Sequence, residues 1–336
     1  MTTQNNLTPE RIMQLAWGYA PTLIIESAVR HRVFDLLDES PKTCEELAKA
    51  SGASTRGLLA VLNALVGLQL LAKSDGHYSL TPESAAFLVS TKPSFFGGFF
   101  KHMSAQIIPK WLQLDEVVRT GQPAKAVNDE KQGAHFFAEF VEALFPMGYP
   151  AAKALGEHLS IARNGKAVNV LDIAAGSGVW GIALAEQSPN VRVSAVDWPE
   201  VLEVTKKVAH RFGLDGRLST IPGDILKADF GSGYQVATLG HILHSEGAER
   251  SQQLLRKTFA ALAPGGTIAI AEFVPNDERT GPPNALLFAV NMLVNTDVGD
   301  TFTFAEISKW LGEAGFVDAR QFDAKGVSPL ILATKP

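Results

Sequence analysis

Two histidines, His241 and His244, follow the apolar segment YQVATLG in the stretch GHILHSEGAER. A neutral imidazole near pH 7 takes up a proton, and a phenol or enol must lose one to become a nucleophile. His244 opens a helix-length amphipathic segment, whose positive end disfavours imidazolium and keeps the ring able to accept. Paired histidines also suggest a metal, but no further cluster of cysteine, histidine and acidic residues surrounds them in sequence, so no metal is expected. A carboxylate beside the base would orient its ring and stabilise its protonated form. Glu272, at the end of the apolar run GTIAIAEFV, is suited to that task. The plainer alternatives are a histidine that caps its helix and a solvated acid at a strand end.

A second constellation lies upstream in VLDIAAGSGVWGIALA, residues 170–185. A strand-like run enters a turn of small residues and leaves as a helix. Gly176, Gly178 and Gly181 have the spacing of a dinucleotide fingerprint, and Asp197 follows at the end of the next strand, where a ribose hydroxyl needs an acceptor. Asp172 argues for a different ligand. At the end of the first strand its carboxylate would repel a pyrophosphate and attract the ammonium of a methionine tail beside a sulfonium. The remaining sheet is also too short for a dehydrogenase with its catalytic domain.

The elements that must hold these residues are legible from periodicity and capping. From residue 165 onward, AVNVLDI, VRVSAV, RLSTI, YQVATLG and GTIAIAEFV alternate with amphipathic segments, the pattern of a parallel sheet covered on both faces. A last helix over 303–314 precedes GFVDARQF and SPLILAT, which are too close for a crossover helix and must pair antiparallel or turn back into the sheet. The first 100 residues read differently. Thr8 and Pro9 open a helix that Pro21 interrupts, Thr43 with Glu46 forms a capping box, Ser54 caps a second helix through Val66, and Asp75-Gly76 turns a hairpin. Helix, turn, helix, hairpin is a winged-helix pattern, which raises DNA binding by a ligand-responsive regulator. The second helix carries one basic residue, Arg56, and a groove reader needs several.

Composition narrows the classes further. The 336 residues are 46% hydrophobic and carry a net charge of −5, so a large core is available and nucleic acid is not the default partner. One cysteine, Cys44, forms no internal disulfide; with no leader-like start and no apolar run of about 20 residues, a cytoplasmic protein without a membrane span is expected.

Taken in order, these segments resemble the class I S-adenosylmethionine-dependent methyltransferases, and within them the small-molecule O-methyltransferases with an N-terminal winged-helix dimerisation domain. Asp172-Ile173-Ala174-Ala175-Gly176-Ser177-Gly178 looks like the acidic first motif, with Ala174 at its first glycine. Val196-Asp197-Trp198-Pro199 resembles the segment whose aspartate binds the ribose, and Gly223-Asp224-Ile225-Leu226 the one that holds the adenine. The resemblance covers nearly the whole chain. It implies a Rossmann-like seven-stranded α/β sheet with an antiparallel C-terminal hairpin, S-adenosyl-L-methionine as cofactor, a homodimer, and a small hydroxyl acceptor. The implied organisation is a dimerisation domain over 1–100, helical connector and pocket segments over 101–160, and a cofactor domain over 161–336. His244 matches the general base and Glu272 its partner.

Two departures weaken the acidic support. Ser245 stands where an aspartate commonly follows the base, and Thr301 replaces the second glutamate, with Asp300 one residue away. C- or N-methylation therefore stays open. Leu286, Ala289, Val290, Leu293 and Val294 at helical spacing, with Phe288 and Asn291 on adjoining faces, are candidates for one wall of an apolar acceptor pocket. Phe136, Phe140, Phe145 and Met147 are candidates for another, with core packing the alternative for both.

Overall fold

The computed structural model describes residues 7–124, 134, 136–138, 140–163, 165–324 and 326–336. Its internal contacts divide the chain into two units, Met1–Pro109 and Lys110–Pro336.

The first unit is helical. Thr8 does not cap the opening helix, Glu10–Ala16: Pro9 occupies the cap position, and the Thr8 hydroxyl instead donates to Glu10 Oε2 at 3.1 Å. Pro21 falls in the first turn of the next helix, Ala20–Arg30, where a missing N–H costs nothing. The Thr43–Glu46 capping box forms in both directions at the head of Cys44–Ser51, and Ser54 Oγ accepts from Gly57 N at the head of Thr55–Gly67. Strands β1 (Leu71–Ser74) and β2 (His77–Leu80) meet at Asp75 and Gly76, whose φ of 48° and 77° give the left-handed turn that suits strand twist. Phe34, Leu47, Leu62, Leu65 and Tyr78 form the centre of this unit's core.

The second unit is built on strands β3 (Val168–Ile173), β4 (Val191–Asp197), β5 (Leu218–Pro222), β6 (Tyr234–Gly240), β7 (Leu262–Ala271), β8 (Val317–Phe322) and β9 (Leu330–Thr334), in the order β5-β4-β3-β6-β7-β9-β8. The first five are parallel, and β9 runs antiparallel to both its neighbours. Burial explains why β9 lies inside β8. Leu330 to Ala333 are all buried and need cover on both faces, whereas β8 is largely exposed and tolerates the edge. Helices Val141–His158 and Val179–Ala185 cover one face, Leu243–Ala261 and Phe304–Ala314 the other, each with its own apolar cluster.

The order of winding reverses between β3 and β6, so a crevice opens beyond their carboxyl ends, where open α/β sheets bind ligands. The third glycine of the fingerprint spacing serves packing here. A Cβ on Gly181 would lie 2.5 Å from Val193 Cγ1 and 3.1 Å from Asp172 Oδ2, so only glycine lets Val179–Ala185 approach the sheet this closely. We expect Gly181→Ala to lower stability by about 1–3 kcal/mol. The loss should be partly restored by adding Val193→Ala, as read from denaturant midpoints.

Candidate active site

The turn after β3 alternates into left-handed backbone, with φ of 52° at Ala174, 56° at Gly176 and 76° at Gly178. Ala174, standing at the first glycine position, takes this conformation at a cost of roughly 1–2 kcal/mol. The bend is held from outside by β4 and its helix. Asp197 Oδ2 accepts from Gly176 N at 2.9 Å, Asp197 Oδ1 accepts from Trp198 N at 2.7 Å, and Thr205 Oγ1 donates to Gly176 O at 2.7 Å. Trp198 caps the helix Pro199–Arg211, and its ring centroid lies 6.0 Å from that of Phe137.

Asp172 behaves differently from the sequence expectation of a carboxylate open to the ligand. It is fully buried, with Oδ2 accepting from Gly181 N at 2.9 Å and Oδ1 from Thr238 Oγ1 at 2.8 Å. Its first task is therefore to join β3 to β6 and to the helix after the turn. Any attraction it exerts on a cationic ligand acts through space. Burial pushes its carboxyl up to about 7 against those two hydrogen bonds and pushes that of Asp197 up to about 6. Among the described residues, no lysine or arginine bonds to either carboxyl or to the turn. A pyrophosphate would add repulsion to this site. An ammonium beside a sulfonium would relieve it, so the residues present fit S-adenosylmethionine.

On the neighbouring edge, Gly223 has a φ of 134° and leads into Asp224, whose Oδ1 accepts from Leu226 N at 2.8 Å. Ile225 is buried in the apolar cluster, and Leu226 is partly buried against it. Sequence reasoning missed the charged pair behind Asp224. Arg250 lies 3.6 Å from Asp224 Oδ1 and bonds Glu246, a nearly buried acid whose carboxyl burial pushes up. The i,i+4 spacing of Glu246 and Arg250 was the available signal.

At the end of β6 the helix Leu243–Ala261 begins, but Gly247 (φ 72°, ψ 173°) breaks it after one turn. The long helical axis thus starts beyond His244, and a carboxylate orients the ring instead. His244 Nδ1 lies 2.7 Å from Glu272 Oε2, and His244 N donates to Oε1 at 3.2 Å. Burial pushes the Glu272 carboxyl up, but the charge of His244 and these hydrogen bonds outweigh burial and hold it below its ordinary value. An ionised carboxylate only accepts, so when the ring is neutral Nδ1 carries the hydrogen and Nε2 is left to accept a proton. The His244 ring meets Phe288 edge-on at 4.8 Å, and Phe288 lies 4.2 Å from Phe273. Phe288 lies on the flank of helix Pro283–Asn295 and reaches His244; like it, Leu286, Ala289, Val290 and Leu293 are partly buried. Phe273 was missed, although it directly follows Glu272.

The remaining candidates also resolve. Asp300 does not replace the missing acid: its Oδ1 accepts from Thr301 N and its Oδ2 from Arg279, while its own N–H donates to His244 O. Thr301 is fully buried, with Oγ1 unbonded among the described residues. Phe145 stacks with both Tyr149 and Phe212 in a three-ring cluster of the core, and does not form the acceptor wall sketched from sequence.

Comparison with known proteins adds a decisive observation. An O-methyltransferase domain model matches residues 157–317, and an O-methyltransferase dimerisation domain model matches residues 13–90. The 3-hydroxy-5-methyl-1-naphthoate 3-O-methyltransferase of Streptomyces sahachiroi is 30% identical, spanning 97% of this chain and 95% of that protein. The chain belongs to the O-methyltransferase family. A solved structure described as a putative O-methyltransferase from Nostoc punctiforme has a TM-score of 0.87 and 29% identity, covering 98% of this chain and all of that one. The S-adenosyl-L-methionine-dependent methyl transferase PigF of Serratia sp. is 26% identical over 98% of this chain and 97% of that protein; its structure with SAH has a TM-score of 0.83 and covers 98% and 100% of the two chains. As a member, this O-methyltransferase uses S-adenosyl-L-methionine. Among the described residues, no helix is long and apolar enough to cross a membrane.

If Asp172 and Asp197 stand beside the bound cofactor, their raised carboxyls predict pH-dependent binding with a definite sign. A cationic ligand favours the ionised carboxylates, so binding releases protons, and affinity increases as pH rises through 6 to 7. Calorimetry with S-adenosylhomocysteine (SAH), which keeps the ammonium, should show severalfold tighter binding at pH 7.5 than at pH 5.5. It should also show a buffer-dependent enthalpy at pH 6.

Proposed function

We propose that this O-methyltransferase methylates a hydroxyl of a small aromatic or polyketide-like molecule, with His244 as general base. The observation that carries the reading is the 2.7 Å contact between His244 Nδ1 and a Glu272 carboxyl held below its ordinary value. Ala174, Gly176 and Gly178 would shape the bend around the methionine tail, with Asp172 behind it contributing charge. Asp197 and Trp198 would flank the ribose, and Gly223, Asp224, Ile225 and Leu226 would hold the adenine. When bound, S-adenosylmethionine supplies a methyl group activated on a sulfonium. His244 Nε2 takes the acceptor's hydroxyl proton, and Glu272 stabilises the charge the ring then carries. Phe273 and Phe288 exclude water and present aromatic faces to the acceptor. An apolar wall beside a carboxylate-oriented imidazole suits a phenol, and the naphthoate named for the Streptomyces sahachiroi relative has that character.

We also infer a homodimer. The matched dimerisation domain begins at residue 13, and the opening helix and the Trp17 that follows it expose Ile12 (72%), Leu15 (72%) and Trp17 (62%), apolar surface that a partner chain would cover. Ile12→Glu combined with Leu15→Glu should convert a dimer to a monomer in analytical ultracentrifugation.

His244→Ala should lower kcat by about 10²–10⁴-fold, the usual contribution of a positioned base. Glu272→Gln should fall between it and the unaltered enzyme. SAH affinity by calorimetry should stay within about twofold in both variants, since neither side chain is placed on the cofactor. Full turnover in His244→Ala would remove the base assignment.

A further inference from the structure

The base assignment leaves His241 unused, although it stands at the carboxyl end of β6, on the edge of the crevice between β3 and β6. Its backbone N–H donates to Ala271 O at 2.9 Å, continuing the β6–β7 ladder by one bond, and its φ of 61° then turns the chain out of the strand. Histidine is one of the few residue types that adopt this conformation with some regularity. Nε2 lies 2.9 Å from Ser328 Oγ, which fixes one edge of the ring. Nδ1 makes no hydrogen bond among the described residues, and it is not among the unpaired polar atoms sealed from solvent. Burial pulls the ring down to about 4, so it is neutral at physiological pH, with one N–H and one lone pair.

The surroundings give this open nitrogen a use. The His241 and His244 centroids are 6.4 Å apart, and Phe273 lies beside both, at 5.2 Å and 6.5 Å. A hydrogen bond of about 2.8 Å from a ring nitrogen places an oxygen roughly 4 Å from the ring centroid. Two oxygens on adjacent or peri carbons of one aromatic acceptor can therefore meet both imidazoles at once while its face lies near Phe273 and Phe288. Glu272 is committed to His244, so it does not compete for the open nitrogen of His241.

We propose that His241 is a specificity-determining residue that binds a second oxygen of the acceptor, next to the one deprotonated by His244, and that the acceptor is an aromatic compound with paired oxygen functions. This rests on the reading of His244 as base. Where the Ser328 hydroxyl donates to Nε2, Nδ1–H donates to a neighbouring carbonyl. Where Nε2–H donates to Ser328, Nδ1 accepts from a neighbouring hydroxyl.

Three probes separate these cases: 1-naphthol with a single oxygen, 1,8-dihydroxynaphthalene with a peri hydroxyl, and 1-hydroxyanthraquinone with a peri carbonyl. With the full-length enzyme, kcat/KM for at least one paired-oxygen compound should exceed that for 1-naphthol by about tenfold, the value of one neutral hydrogen bond. The compound preferred identifies the tautomer. In His241→Ala the ratio should collapse towards one, and absorbance titration should show weaker binding of the preferred compound. His241→Asn, which tolerates the left-handed backbone and keeps a polar group, should retain part of the preference; SAH titration of both variants reports that the fold is intact. A ratio near one in the unaltered enzyme, a ratio that survives His241→Ala, or failure of both paired-oxygen compounds to bind would overturn the proposal. Loss of the base reading has a different sign, namely turnover that persists in His244→Ala whatever the ratio.

Discussion

A buried carboxylate with two fixed donors organises the cofactor domain. Asp172 leaves β3 pointing into the protein, where Thr238 of β6 and the Gly181 amide hold its two oxygens. Burying a carboxyl at this depth is costly, and its carboxyl is accordingly pushed up to about 7. The arrangement persists because both oxygens are bonded. It ties together the central strand pair at which the sheet's winding reverses and the helix that follows the turn. The bend between Ala174 and Gly178 is thus anchored from below by Asp172 and from the side by Asp197. Its amides and carbonyls are committed to a shape that faces the crevice.

The same sheet orders the chemistry along its carboxyl edge. The ends of β3, β4 and β5 carry Asp172, Asp197 and Asp224, all acidic, which suits a ligand with a positively charged head. The ends of β6 and β7 carry imidazoles, one paired acid and aromatic rings. Parallel strands deliver residues distant in sequence to neighbouring positions on one line. His244 and Glu272 meet because β6 and β7 are adjacent and in register, with Gly240 opposite Ala271. The break at Gly247 then leaves His244 on a single turn of helix. The Gly299–Thr301 backbone closes against it, where Asp300 N–H donates to His244 O.

The departures from the family pattern also find a physical place. Thr301, at the position of the second acid, has no carboxylate to offer an imidazole and is wholly buried. Asp300 pairs its charge with Arg279. Glu272 alone therefore orients His244 among the described residues. The ring has one carboxylate on Nδ1 and an aromatic edge contact with Phe288, enough to fix its plane. Positioning of the His244 ring depends correspondingly more on the register of β7.

Local chemistry was legible in the sequence wherever a short stretch dictates its own geometry. The Thr43 capping box, the Asp75-Gly76 turn, the strand and helix alternation after residue 165, and the small-residue bend all rest on neighbours within a few positions. The His244 and Glu272 pair could be named because strand ends converge in any parallel sheet. Tertiary structure alone decided which way each side chain faces and what it meets. It turned Asp172 inward, brought Phe288 edge-on to His244, sent Phe145 into the core, and left one edge of His241 open. Periodicity reports that a residue is apolar or polar and on which face of its own element it lies. Direction into a cleft or a core depends on the packing of elements far apart in the chain, which no local pattern encodes.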